Sequence, residues 1–74
     1  RGTARDYANF LAIARGSLME TATYIDLSVQ LRFITASTAA PILSLITEIN
    51  KMLNTLRSRL LNPTPKPNPP TPNP

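Results

Sequence analysis

The carboxylates are the side chains in this sequence that could bind a metal ion or work as a pair in acid–base catalysis. The chain contains no His and no Cys. Carboxylate bundles that hold two metals need inward-facing Glu-x-x-His pairs, and zinc sites need Cys or His, so the sequence provides neither kind of site. The four acids are Asp6, Glu20, Asp26 and Glu48. We interpret them as surface acids that are solvated or paired with cations.

Hydroxyl groups and glycines also lack the neighbours that catalysis needs. Ser and Thr are frequent, but the sequence offers no base that could activate one of them as a nucleophile. Gly2 and Gly16 are isolated and form no glycine-rich phosphate loop. The sequence therefore predicts a protein that is not an enzyme and that binds neither a cofactor nor a metal ion.

Arg and Lys side chains indicate a different chemistry, the binding of phosphate groups. Eight basic and four acidic residues give a net charge of +4. In an antiparallel hairpin, both ends of the chain contribute cations to one end of the fold. The candidate nucleic-acid-binding residues are Arg1, Arg5, Arg57 and Arg59 at that end, with Arg15 and Lys51 nearer the middle. Such a surface would bind RNA or DNA through phosphates, with strong salt dependence. Alternatively, these cations bind no nucleic acid: they interact favourably with the dipole at a helix C-terminus and keep the protein soluble.

A long first helix is predicted by residues that recur alternately four and three positions apart. This seam consists of Tyr7, Leu11, Ala14, Leu18, Thr21, Ile25, Ser28 and Arg32. It is flanked by Phe10, Ser17, Tyr24 and Leu31 on one side and by Ala8, Ala22 and Val29 on the other. Thr3 and Asp6 have the spacing of a capping box, so we predict a helix over residues 4–31. Gly16 lies inside it, either as a packing glycine or at a kink.

A second helix is predicted by the same spacing further along the chain. Its seam consists of Ile42, Ile46, Ile49, Leu53, Leu56 and Leu60, widened by Leu45 and Met52. Pro41 belongs in a first helical turn, which favours Thr38 as the N-cap over Thr35. With Thr35 as the cap, one backbone hydrogen bond would be lost at Pro41. We therefore predict a helix over residues 39–61 that ends before Pro63.

Proline dominates the end of the chain, residues 62–74. Such a run prefers polyproline II, and we predict a disordered tail. Its role is either that of a spacer or that of a ligand for a proline-binding groove on a protein partner. Residues 1–61 then form the only folded unit.

The two predicted helices carry apolar stripes wider than one mutual interface can cover. The surplus surface must meet further helices, from other copies or from the same protein, as in a four-helix bundle. The longest uncharged run, residues 33–47, is too short to span a bilayer, so no membrane segment is predicted. The absence of Cys fits a reducing compartment, and we expect a cytoplasmic protein.

A resemblance to a known family adds to these inferences. The run Ala14-Arg15-Gly16-Ser17-Leu18, followed by Glu20 and Thr23, resembles the third-helix motif of the four helix bundle protein family. That family includes the 23S rRNA intervening-sequence proteins and is similar to the accessory proteins of diversity-generating retroelements. Supporting residues follow in the family's order, at Arg1-Gly2-Thr3, Tyr7, Phe10-Leu11, Phe33-Ile34-Thr35, Glu48-Ile49, Met52-Leu53-Asn54 and Leu56. Arg32 stands where the family often has Gly.

The resemblance covers residues 1–61 and implies the C-terminal half of an up-and-down four-helix bundle. It also implies a homo-oligomer, because members of the family form homo-pentamers or are expected to. Our first hypothesis is an oligomeric nucleic-acid-binding accessory protein that acts through its basic end. The alternative is a structural or protein-interaction scaffold without a nucleic-acid role.

Overall fold

The computed structural model describes residues 2–63, which form two antiparallel α-helices. Helix α1 spans Ala4–Gln30 and helix α2 spans Ala36–Leu61. The prediction of an all-helical hairpin is confirmed, and the described residues contain no strand. Residues 1 and 64–74, which include most of the predicted proline-rich tail, lie outside the described residues. Neither helix combines the length and hydropathy that crossing a bilayer requires, within the same described range.

Helix α1 begins with the predicted capping box. The Thr3 hydroxyl accepts a hydrogen bond from the Asp6 backbone N–H at 3.1 Å, and the Asp6 carboxylate accepts one from the Thr3 N–H at 3.4 Å. These bonds satisfy N–H groups that have no partner within the helix.

The end of helix α1 is a Schellman motif with an arginine in the position that glycine usually takes. The Phe33 N–H donates to the Ser28 carbonyl at 2.8 Å, and the Arg32 N–H donates to the Val29 carbonyl at 2.9 Å. Arg32 adopts the left-handed conformation, with φ at 65°. Glycine meets this backbone demand most easily because it has no Cβ atom, and this chain keeps the turn with arginine.

The start of helix α2 corrects the predicted N-cap and the predicted first residue. Thr35, not Thr38, is the cap, because its hydroxyl accepts a hydrogen bond from the Thr38 N–H at 3.1 Å. The helix therefore begins at residue 36 instead of 39, and Pro41 lies inside it. Since proline has no N–H, the Ser37 carbonyl loses its usual partner four residues on. The longer helix tolerates this missing hydrogen bond because the Thr35 hydroxyl satisfies a backbone N–H group in the first turn.

One seam on each helix makes the contact between α1 and α2, and its members follow the alternating three-four spacing. They are Ala8, Leu11, Arg15, Leu18, Ala22, Ile25 and Val29 on α1, and Ala39, Leu43, Ile46, Asn50, Leu53, Arg57 and Leu60 on α2. All are buried or half-buried. Two hydrogen bonds fix the register, from Arg57 Nε to the Ala8 carbonyl at 3.2 Å and from Arg15 Nε to Asn50 Oδ1 at 3.0 Å. In each pair the residue numbers add to the same value, as an antiparallel hairpin requires.

Candidate interaction surfaces

A second seam on each helix lies on one broad side of the hairpin, which we call the apolar face. Each of its members within the helices immediately precedes a residue of the contact seam, and Leu31 continues the same spacing at the C-cap of α1. They are Tyr7, Phe10, Ala14, Ser17, Thr21, Tyr24 and Ser28 on α1, Leu31 at its C-cap, and Ile42, Leu45, Ile49, Met52 and Leu56 on α2. A step of one residue turns the helix by about 100°. Antiparallel helices are related by a two-fold axis normal to the hairpin, so the same step in both helices leads to the same side.

The apolar face is largely uncovered. Phe10 is 66% exposed, Tyr24 65% and Met52 69%, values far above those of core residues. By contrast, the buried side chains among the described residues are three apolar ones, those of Ala8, Ala39 and Ile46. The hairpin therefore buries little of its own apolar surface and presents most of it on one side.

The opposite broad side, which we call the polar face, consists of the residues that immediately follow the contact seam. They are Asn9, Ala12, Gly16, Met19, Thr23, Asp26 and Gln30 on α1, and Ala40, Ser44, Thr47, Lys51, Asn54, Ser58 and Leu61 on α2. Small and polar side chains dominate this set, and Met19 is its one exposed large apolar residue. The two broad sides thus differ in chemistry, and this contrast identifies the apolar face as a candidate interaction surface.

Two of the hydroxyl groups within the apolar face are satisfied by their own helix. The Thr21 hydroxyl donates to the Ser17 carbonyl at 3.0 Å, and the Ser28 hydroxyl donates to the Tyr24 carbonyl at 2.8 Å. A buried hydroxyl without a partner is costly, whereas one bonded within its helix can be covered by another chain. These two polar residues are therefore compatible with burial of the apolar face.

Two of the six predicted nucleic-acid-binding residues have a structural role in the hairpin. Arg15 and Arg57 are half-buried, and the Nε of each donates a hydrogen bond to the opposite helix. Asn50, which is not a member of the predicted seam of the second helix, is the acceptor for Arg15. The alternating spacing that runs from Ala39 to Leu60 through Asn50 is the signal that would have identified it.

The other predicted basic residues lie on the surface or outside the described range. Arg5 and Arg59 are exposed at the open end of the hairpin, where the chain enters α1 and leaves α2. Lys51 is exposed on the polar face. Arg1 lies outside the described residues. The open end thus offers Arg5 and Arg59 to a ligand, and nucleic-acid binding by this set stays a prediction.

Acidic residues do not converge in the described part of the chain. No group of three or more acidic side chains between residues 2 and 63 has the arrangement that could hold a metal ion. The candidate interaction surfaces of the described residues are therefore the apolar face and the open end.

Comparison with known proteins gives one result. No curated protein and no solved structure matches the chain. Residues 1–55 match the family described as 23S rRNA-intervening sequence protein. This range includes all of α1 and most of α2. Because the match covers more than half of the sequence, the chain belongs to the 23S rRNA-intervening sequence protein family.

Proposed function

We propose that this hairpin is a non-enzymatic assembly module whose apolar face packs on two further helices to complete a four-helix bundle. The observation that carries the proposal is the placement of both second seams on one broad side. Monomeric proteins rarely expose contiguous apolar patches above a few hundred Å², and larger patches mark interaction sites. Helices of four-helix bundles bury two adjacent seams, one against each neighbour.

The contact between α1 and α2 supports the same proposal. Its two hydrogen bonds hold the helices in one register, and this register keeps the second seams side by side. The surface is therefore organised before a partner arrives, which lowers the entropy cost of association. This role corresponds to the scaffold hypothesis from the sequence, now attached to a defined surface.

A matched pair of charge substitutions tests the assembly role. Leu45→Glu places a carboxylate on the apolar face, and Thr47→Glu places one on the polar face of the same helix. Binding of a further chain makes the unfolding temperature depend on protein concentration. We expect the unsubstituted chain and Thr47→Glu to show this dependence in far-UV circular dichroism, and Leu45→Glu to lose it. Equal behaviour of the two variants would contradict an assembly role of the apolar face.

The second candidate function is nucleic-acid binding through the open end. Arg5 and Arg59 are exposed there and have the chemistry for phosphate contacts. Arg57 is a poor choice for testing this function, because its guanidinium also bonds the Ala8 carbonyl and its loss would affect the fold. The exposed pair therefore carries the candidate function.

Fluorescence anisotropy with labelled RNA and DNA oligonucleotides tests this candidate. Arg5→Gln/Arg59→Gln, which lowers the net charge from +4 to +2, should weaken binding. Binding to the unsubstituted chain should fall between low and moderate salt. Ser44→Glu/Asn54→Glu is the matched control, since it adds two acids to the polar face. An equal loss of binding in both double variants would show a dependence on net charge alone, and unchanged binding would exclude the open end.

A further inference from the structure

We infer that the proline-rich segment of this chain, residues 64–74, binds a groove on the outer edge of α1, beside the open end of the hairpin. The groove has a volume of about 470 Å³ and is lined by Gly2, Asp6, Asn9, Phe10 and Ile13. The inference does not depend on the assembly role proposed above, because it concerns a different side of α1. It follows from the position of the groove, its chemistry and the sequence of the segment.

The groove lies on the side of α1 that faces away from α2. Asp6 and Ile13 each stand two residues from a member of the contact seam, and two residues turn a helix by about 200°. Ile13 is 65% exposed, so the hairpin leaves this apolar side chain uncovered. Helices that pack on the apolar face would contact Phe10, at its border, and would leave the outer edge of α1 open.

The groove has the chemistry of a proline-binding surface. Proline-rich segments bind aromatic-lined grooves in a preformed polyproline II conformation, which loses little entropy on binding. Phe10, which is 66% exposed, supplies the aromatic ring, and Ile13 supplies a second apolar contact. Six of the eleven residues after Pro63 are proline, and every three consecutive residues include at least one. Each three-residue turn of the segment can therefore present a proline ring to the groove.

The charge of the segment matches the charge of the groove. Lys66 is the only charged side chain between residues 64 and 74, and Asp6 is the one charged residue that lines the groove. The Asp6 carboxylate accepts a hydrogen bond from the Thr3 N–H at 3.4 Å within the capping box. Since a carboxylate accepts several hydrogen bonds, Asp6 can pair with Lys66 while the cap is kept.

A second groove, on α2, lacks this match. It has nearly the same volume, about 480 Å³, so size does not distinguish the two. Its lining includes Met52 and Leu56 together with two cations, Lys51 and Arg59, and none of its lining residues is aromatic. The two cations repel Lys66. Charge and aromatic content therefore both favour the groove on α1.

The segment is long enough to reach the groove on α1. Helix α2 ends at Leu61, at the level where α1 begins. From there the chain must pass one helix-to-helix spacing of roughly 10 Å and one helix radius of roughly 5 Å. The step from Leu61 to Lys66 covers about 15 Å in polyproline II, at about 3.1 Å per residue. This distance brings Lys66 to Asp6, and the residues after it can run along the groove.

Paired cysteines in the full-length chain test the binding, because the sequence has no Cys. Asn9→Cys/Asn68→Cys places one thiol in the groove and one in the segment. Thr55→Cys/Asn68→Cys is the matched control, since Thr55 is exposed at nearly the same level on α2 and lies nearer to the start of the segment. The rate of disulfide formation within one chain is measured in dilute protein with a fixed oxidant. We expect the Asn9 pair to react at least about threefold faster than the Thr55 pair, because binding raises the local thiol concentration.

A charge reversal in the segment gives a second readout. Lys66→Glu should slow the Asn9 pair by about two- to fivefold, the size expected for an exposed ion pair, and should not slow the Thr55 pair. A segment without preference would react with Thr55→Cys at least as fast as with Asn9→Cys, and this result would overturn the inference. A product that links two chains at high dilution would also overturn it. A rate that Lys66→Glu leaves unchanged would overturn the pairing of Lys66 with Asp6.

Discussion

Replacement of Arg32 by Gly should stabilise the hairpin, although it removes a charged side chain. Arg32 has φ at 65°, in a region where the Cβ atom of an L-residue approaches the following carbonyl oxygen. The residue is held there by the hydrogen bonds that Arg32 and Phe33 donate back to α1. Glycine meets the same backbone demand without a Cβ atom.

The size of the effect follows from opposing contributions. The left-handed conformation costs an L-residue roughly 1–2 kcal/mol. Glycine loses roughly 0.5–1 kcal/mol more conformational entropy on folding, and a cation near a helix C-terminus contributes about 0.3–1 kcal/mol at most. Arg32 is exposed and lies beyond the last turn of α1, so its charge contributes near the low end of that range. The net gain is therefore about 0.5 kcal/mol, or about 2–4 °C in Tm for a chain of this size.

Thermal unfolding by circular dichroism at one fixed protein concentration is the appropriate assay, since association also shifts Tm. Arg32→Ala is the control, because it removes the charge and keeps the Cβ atom. It should be no more stable than the natural chain, and about 1 kcal/mol less stable than Arg32→Gly. If the Ala and Gly variants unfold at the same temperature, backbone strain at this residue is not the cause.

Three further predictions concern the helices. Gly16→Ala should raise the unfolding free energy by about 1 kcal/mol in urea denaturation, because a Cβ atom there meets nothing within 4 Å; a loss would reveal a close contact with another chain. Arg57→Met should cost about 1 kcal/mol through the lost hydrogen bond to α1, whereas Arg59→Met should change stability by less than about 0.5 kcal/mol; similar costs would contradict the structural role of Arg57. Thr35→Ala should lower Tm, because it removes a cap that contributes about 1 kcal/mol. Thr38→Ala is the control and should lower Tm less. A larger decrease for Thr38→Ala than for Thr35→Ala would indicate that Thr38 is the N-cap, as the sequence predicted.

Hydrophobic periodicity predicted the helices well, because each carries a long alternating pattern. It did not separate the two seams of each helix. In α2 the predicted seam included Ile46 and Ile49 together, yet Ile46 packs against α1 and Ile49 belongs to the apolar face. The apolar periodicity of a helix gives one averaged direction, which lies between its two adjacent seams. It therefore predicts how wide the apolar stripe is, but not which of its residues belong to the contact seam and which to the apolar face. The division depends on the register between the helices.

Register and capping depend on contacts that the residue pattern leaves open. The Arg15–Asn50 hydrogen bond joins two polar residues across the helices, which apolar periodicity does not detect. With Thr35 as the N-cap, the helix gains a capped first turn but lacks the backbone hydrogen bond that Pro41 cannot donate. Both alternatives obey the same capping rules, and in the structure the Thr35 cap outweighs the hydrogen bond that Pro41 removes.

The mass of the 74-residue chain in sedimentation equilibrium, with helicity checked by circular dichroism, tests the central claim most directly. If the apolar face packs on helices of further chains, the mass should rise above the monomer value of 8.1 kDa as concentration rises. Leu45→Glu should return it toward the monomer value. A helical chain that stays at 8.1 kDa across the whole concentration range would contradict the account.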